Sequence, residues 1–410
     1  MNARPDWRII AVAAVWLLES PRAPAQAIFS DSFAAHHNYL TNGLAGTLWD
    51  GVYFAAGDFD NTGLGGGGPG ATVQCDADLT AAGTLSVQTT GTAWEGGDDD
   101  GFYLFKIVPG DFSMSVHVVS PYNNSAYNTA GLQARAFGAN GDPPGGSENF
   151  VSWTRFDEYS FANYLRSEVN GGVAQINPGD FPNTNYWLRM DRVGGTNFYF
   201  YQKSTKAGVW QPVTFPAPVN GAILRRLDLA GKPLQAGIIH ATYNGLLGVQ
   251  FTDFSLAESN VAFAAAPSAP TGLMLATNAN GLMISWSPAV GAAGSLVMMW
   301  TGTNVMQEMP ADGFAYSGNG NFGFGSSLAG AGYFAVYNGS GTNVLVDNLV
   351  PNTTYQVAVF SYSGSGNSIA YNHAPITGSI TVPPNEVLAQ VNVENADVAV
   401  TFTANPGEWY

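Results

Sequence analysis

Residues 186–210 read YWLRMDRVGGTNFYFYQKSTKAGVW. Leu188 and Met190 alternate with Arg189 and Asp191, and beyond Gly194-Gly195 the residues Phe198 and Phe200 alternate with Tyr199 and Tyr201. Period-two alternation sends successive side chains to opposite sides of an extended chain. The Gly pair supplies the positive φ of a tight turn, so the stretch reads as a long β-hairpin. A lone hairpin is only marginally stable in water, so further strands must cover it.

Those strands lie on both sides of it. Upstream, Phe112–Val119 places Met114, Val116 and Val118 on one face and Ser113, Ser115 and His117 on the other, the pattern of a half-buried strand. Strands are also expected at 28–33, 84–88, 101–108, 131–137, 149–156, 161–169 and 172–176, and downstream at 234–241 and 248–256. Residues 57–70 (GDFDNTGLGGGGPG) read as loop, 95–101 (EGGDDDG) as an acidic turn, and 138–147 as a Gly/Pro-rich connection. About a dozen strands in roughly 230 residues fit a two-sheet sandwich. Aromatic residues make up 13% of the chain, which excludes a disordered polymer, and no helical period is sustained past the N-terminus.

The N-terminus reads as a secretory signal peptide over residues 1–27. Arg4 and Arg8 precede the apolar run Ile9–Leu18, and Ala25-Gln26-Ala27 is a small-x-small cleavage site. The run is shorter than the ~20 residues a bilayer span needs, so a secreted protein is expected, with no membrane insertion after cleavage. The net charge of −16 argues against nucleic acid or an anionic membrane surface as partner. Cys75 is the single cysteine, so no internal disulfide forms, and it reads as a small buried residue. Asn123, Asn338 and Asn352 stand in glycosylation sequons that chance alone explains in so Asn-, Ser- and Thr-rich a chain.

The ordered set GFYLFKIVPGDFSMSVHV, AGLQAR, YWLRMDRVGGTNFYFYQKS with Trp210, and GVQFTDFSL resembles the concanavalin A-like, laminin-G-like domains of bacterial secreted proteins, including a branch appended to some xylosidases. The resemblance covers most of residues 28–256. It implies a jelly-roll β-sandwich with one concave, ligand-accessible sheet; some members bind glycans, some cleave them. Residues 257–268 gain Ala and Pro, as a linker does. Over 269–382, Trp286 and the run Leu349-Val350-Pro351-Asn352-Thr353-Thr354-Tyr355 resemble a fibronectin type III β-sandwich, in which this Tyr makes the tyrosine corner. Its segment between Trp300 and Val336 reads as an expanded loop. Residues 383–410 read as the start of a truncated further β domain, too short to bury a core.

For chemistry, a glycosidase needs two carboxylates across a cleft, ~5–5.5 Å apart for retention or ~6.5–9.5 Å for inversion. The E-x-D-x-x-E strand of concanavalin A-like glucanases is missing, and the adjacent Asp157 and Glu158 would point to opposite faces. Arg166-Ser167-Glu168-Val169 and Gln175-Ile176-Asn177 resemble the alginate-lyase-like R-S-E-[LV] and Q-I-H strands, but Asn177 replaces the His a lyase base requires. Tyr164, Arg166 and Glu168 share one side of their strand, and Gln133 with Arg135 and Trp153 with Arg155 have the same spacing. If the strands adjoin, these seven residues make a sugar-binding face, since rings stack on sugars while Arg and Glu bond hydroxyls or carboxylates. A solvated outer face with charge pairs is the competing reading. Asp58 and Asp60 lie in a D-x-D-N-x-G loop that suits Ca²⁺ or plain turn chemistry. The His residues have no zinc spacing, and the Gly65–Gly68 run lacks the Lys and helix of a phosphate loop. The expectation is a secreted, non-catalytic protein binding polysaccharide or a cell-surface glycan. The alternatives are a glycoside hydrolase or polysaccharide lyase using the same face, or a structural or adhesive surface protein.

Overall fold

The structure is a computed structural model that describes residues 27–54, 70–95, 98–119, 128–136, 149–157, 161–169, 172–179, 185–243, 245–258, 264–278, 281–303, 305–306, 308–328, 332–384, 388–394 and 397–403. The hairpin forms as read. Asn185–Val193 pairs antiparallel with Asn197–Lys203, and Val193 faces Asn197 across the turn. Gly194 (φ +64°) and Gly195 (φ +72°) take the left-handed conformation there. Their N–H groups donate to the two carboxylate oxygens of Asp111, at 2.6 and 2.7 Å, so a neighbouring strand end clamps the turn. The other acidic turn carries a short hairpin of its own, Ala93–Glu95 against Asp98–Asp100.

The hairpin belongs to a ten-stranded sheet that also holds Phe112–Val119, Leu246–Glu258, Leu85–Thr90 and Ala71–Ala77. Facing it is a seven-stranded antiparallel sheet. Its order is Gly172–Ile176, Phe161–Val169, Phe150–Asp157, Asn128–Ala136, Leu234–Thr242, Phe102–Val108, Gly51–Tyr53. The fold is all-β, a two-sheet sandwich. Leu188, Met190, Phe198 and Phe200 meet Leu132, Trp153 and Leu165 in its core, all buried. Cys75 is buried there too, and burial pushes its thiol well above the usual range.

A second sandwich follows. Thr271–Asn278, Gly281–Ser287 and Asn343–Val346 form a three-stranded sheet over a six-stranded one built on Gly294–Thr301, Tyr333–Gly339 and Thr354–Ser363. Leu282, Ile284, Trp286, Val297, Met299 and Val357 fill it. The Tyr355 hydroxyl accepts the Val350 N–H at 2.8 Å, closing the corner the sequence implied. Leu388–Glu394 and Asp397–Thr403 form a separate hairpin. No helix among the described residues is long and apolar enough to cross a membrane.

Two features depart from the sequence reading. The strand ending the first sandwich runs through Ala257 to Glu258, inside the expected linker. The end of that linker is packed down, for Ala264 N–H donates to the Ser368 carbonyl and Asn372 donates to the Pro267 carbonyl. Satisfied backbone groups of this kind hold a segment that Ala/Pro composition alone would leave free. The expanded loop after Trp300 also has a docking role. Met306 accepts the Leu44 N–H (2.9 Å), Met309 N–H donates to the Asp50 carbonyl (2.6 Å), and Gly51 bridges to Glu308. Met306, Met309 and Tyr316 join the apolar cluster of the first sandwich, which extends to Leu296, Met298 and Trp300. That accounts for Gly294–Trp300 being buried on both faces, with Val297 and Met299 inside the second sandwich and the alternate residues under the docked loop.

Candidate functional site

The seven-stranded sheet has one face in the core and one face away from it. Register fixes which residues share the outer face, since directly paired residues in an antiparallel sheet point the same way. Gln133 pairs with Ser152, Ser152 with Arg166, and Arg166 with Gln175. Arg135 pairs with Phe150, and Phe150 with Glu168, while Thr154 pairs with Tyr164. Five of the seven residues singled out from sequence, Gln133, Arg135, Tyr164, Arg166 and Glu168, therefore stand on one face.

Trp153 and Arg155 do not. They pair with Leu165 and Asn163 on the opposite, inward face. The Trp153 ring is fully buried against Phe200 and Phe215, and its Nε1 donates to the Tyr201 carbonyl at 3.0 Å. Arg155 follows it in phase, its guanidinium 5.3 Å from the Tyr186 ring centroid. The stretch Ser152-Trp153-Thr154-Arg155 has polar residues in both phases, and the large indole decides the matter by taking the core side. Asp58 and Asp60 lie outside the described residues, and no cluster of metal-binding side chains occurs among the described ones.

The outer face is polar and largely enclosed. The Arg135 guanidinium lies 5.1, 5.7 and 5.9 Å from the ring centroids of Tyr103, Trp94 and Tyr53, and its Nε donates to Gln235 Oε1 at 2.9 Å. Three rings around one guanidinium hold the charge by cation–π attraction in a place that excludes water. Arg166 Nε donates to Gln175 Oε1 (2.9 Å), and its Nη1 donates to Thr129 Oγ1 (3.1 Å) and to the Trp94 carbonyl (3.3 Å). Glu168 is fully buried beside them. Both amide atoms of Gln133, Ser152 Oγ and Thr154 Oγ1 are buried with no hydrogen-bond partner among the described residues. At the edge strand the face opens, where Tyr164 is half-buried, Gln175 is exposed, and Asn177 donates to the Tyr164 hydroxyl. At the opposite end Ala311 and Phe314 of the docked loop cover Tyr53, Tyr103 and Phe105.

A second ring-bearing surface went unmarked in the sequence. On the outside of the ten-stranded sheet, Trp187 stacks on His117 (3.6 Å, 4°), Lys203 lies over Trp210 and Trp187, and Arg189 forms a two-pronged pair with Asp191 beneath Tyr201. The signal was present in the opening hairpin, where the residues alternating with the apolar ones are aromatic rather than simply charged.

No family model matches the chain, and no curated protein matches it. Solved structures give distant likenesses. The GH43 protein BlXynB of Bacillus licheniformis aligns with 56% of this chain and 39% of its own at 13% identity and a TM-score of 0.35. A pseudo β-1,3-glucanase of Mycobacterium tuberculosis aligns with 57% and 99% at 8% identity and 0.33. A CBM2 module of the evolved Dit of Lactobacillus casei BL23 phage J-1 aligns with 58% and 97% at 12% identity and 0.31. The chain spans about two fifths of the length of the GH43 protein.

Proposed function

We propose that this chain is a secreted protein that binds a polysaccharide or cell-surface glycan, without cleaving it, through the outer face of the seven-stranded sheet. The observation that carries this reading is the row of unpartnered polar atoms on Gln133, Ser152 and Thr154, set beside Arg166 on the face whose edge strands carry the half-buried Tyr164 and the exposed Gln175. A buried polar atom left without a partner costs about 1–3 kcal/mol, and sugar hydroxyls, which both donate and accept, are suited to remove that cost. The Tyr164 ring at the rim offers an apolar surface for the sugar face. Among the described strand residues of this sheet, Glu168 is the one carboxylate on the face, whereas hydrolysis with acid and base roles calls for two.

Retention of the full chain on immobilised neutral and uronate-containing polysaccharides tests the reading. Tyr164→Ala, at the rim, and Arg166→Ala should each lower retention at least about tenfold, the effect of losing ~1.4 kcal/mol. Retention that survives both changes but is lost in Trp187→Ala or Trp210→Ala moves the site to the other sheet and overturns the proposal. Release of sugar fragments from a retained polymer would establish the enzyme alternative.

A further inference from the structure

Between the two sandwiches lies a cavity of about 380 Å³. Both sandwiches contribute titratable side chains to its wall: Asp50, Lys106 and Glu258 from the first, Asp312 and His373 from the second. Phe29, Leu256 and Tyr371 supply apolar surface, and Leu48, 62% exposed, stands at the mouth. The volume falls within the ~300–1,000 Å³ of small-molecule sites.

Two of the five polar groups already satisfy each other. Lys106 Nζ donates to Asp50 Oδ1 and to the Leu48 carbonyl, while the second Asp50 oxygen accepts the Ile107 N–H at 2.7 Å. The remaining three are not matched in this way. Glu258 is 6% exposed, and its Oε1 has no hydrogen-bond partner among the described residues. The His373 side chain is 7% exposed; the Pro310 carbonyl lies near its ring, but neither ring nitrogen makes a well-formed hydrogen bond among the described residues. Its Nε2 is 3.9 Å from Asp312 Oδ1, beyond hydrogen-bond reach, and that oxygen already accepts the Tyr371 N–H at 2.8 Å. Burial holds His373 down at about 3, so its imidazole is neutral and presents an acceptor nitrogen. Lys106 is bonded to Asp50 and its field also reaches Glu258 and Asp312, so the one lysine of the wall faces three acids and cannot offset them all. A ligand that completes this site brings hydrogen-bond donors and positive charge, on a body small enough to lie against three apolar side chains.

We propose that the cavity is a second ligand site, which takes a compact primary amine with its ammonium toward Glu258, Asp312 and His373 and its body against Phe29, Leu256 and Tyr371. A primary ammonium carries three donors, as many as there are unmatched groups. The site is separate from the polar sheet face, so it stands or falls independently of glycan binding.

The test is calorimetric titration of the full chain at pH 8 with cyclohexylamine, which keeps its charge there as lysine-like amines do, and with cyclohexanol as the neutral match of equal size. Saturable binding of the amine, at least about tenfold tighter than the alcohol, is expected. Glu258→Gln and Asp312→Asn, which keep shape and remove charge, should each weaken the amine about tenfold or more while leaving the far-ultraviolet spectrum unchanged. Burial raises Glu258 to about 7, so affinity of the unaltered chain should rise several-fold from pH 5.5 to pH 8 as the carboxylate ionises. Equal binding of the alcohol, no saturable amine binding, or an affinity flat across that pH range each overturns the proposal. The pH series uses no variant, so a misfolded substitution leaves the outcome decidable.

Discussion

Replacing Glu258 by Gln should remove a large and specific part of the chain's pH-dependent stability. Glu258 ends the strand Leu246–Glu258, in phase with the core residues Phe254 and Leu256, and burial raises its carboxyl from the ordinary 4.5 to about 7. An acid whose folded value lies above its unfolded one is held protonated by folding. Its penalty is absent below the unfolded value, grows between the two, and is complete above the folded one, so the group destabilises increasingly from pH 4.5 to pH 7. Each unit is worth about 1.36 kcal/mol, and integrating between pH 5 and pH 8 gives a loss of about 2.5 kcal/mol from this residue. The profile of the unaltered chain does not isolate that term. Burial pushes Asp50 up to about 6 although Lys106 opposes it, which adds to the loss at high pH. Burial also lowers His240 to about 4 and His373 to about 3, and both of these destabilise as pH falls. Glutamine resembles the protonated carboxyl at every pH, so subtraction removes the other three groups. Urea denaturation of both proteins at pH 5 and pH 8 should give a Glu258→Gln variant that gains about 2.5 kcal/mol relative to the parent on going from the lower to the higher pH. A difference of under about 0.5 kcal/mol, or of opposite sign, refutes the assignment of a carboxyl whose burial outweighs the Gly110 N–H and Lys106 that oppose it.

Trp153→Ala should lower stability by about 3–5 kcal/mol in thermal melts, as expected for an indole in the core rather than on a sugar-binding face. Gly43, at φ +58°, would drive an added Cβ into the Met306 carbonyl oxygen, so Gly43→Ala should detach the docked loop at a cost above about 1 kcal/mol and expose it to limited proteolysis. Tyr355→Phe leaves the buried ring and removes the acceptor for the Val350 N–H, and a loss of about 1 kcal/mol is expected by denaturant midpoint.

The hairpin at 186–203 was legible because three independent signals agree there: a Gly pair, alternation on both sides of it, and β-favouring residues. Tyr355 was legible because a corner motif occupies a few consecutive positions. Trp153 and Arg155 are not legible in this way, because spacing gives which residues share a face but not which face it is. Only the partner strand decides that, and here Leu132 and Leu165 do. The docked loop was illegible for another reason. Its Gly content allows many conformations, and the surface it covers lies far away in the chain. The cavity groups Asp50, Glu258 and His373 are likewise brought together by topology alone. One signal was available, for Glu258 sits in core phase at the end of an alternating strand. The phase is hidden by the irregularity between Thr252 and Ser255, where Asp253 takes φ +53° and shifts the alternation by one residue.

The docked loop also bears on how the chain is made. Asp50 and Met309 are bonded neighbours, yet about 260 residues separate them, and at roughly 5–20 residues per second a ribosome needs some tens of seconds to supply the second after the first. During that interval Gly51 and the Tyr53–Phe105 end of the sheet have a strand to pair with but lack their cover, and the Leu44 N–H lacks its acceptor. A nascent first sandwich therefore presents apolar surface until its neighbour arrives. A fragment stopped at Glu258 would present it permanently. The first sandwich reaches its finished surface only as the first half of a pair.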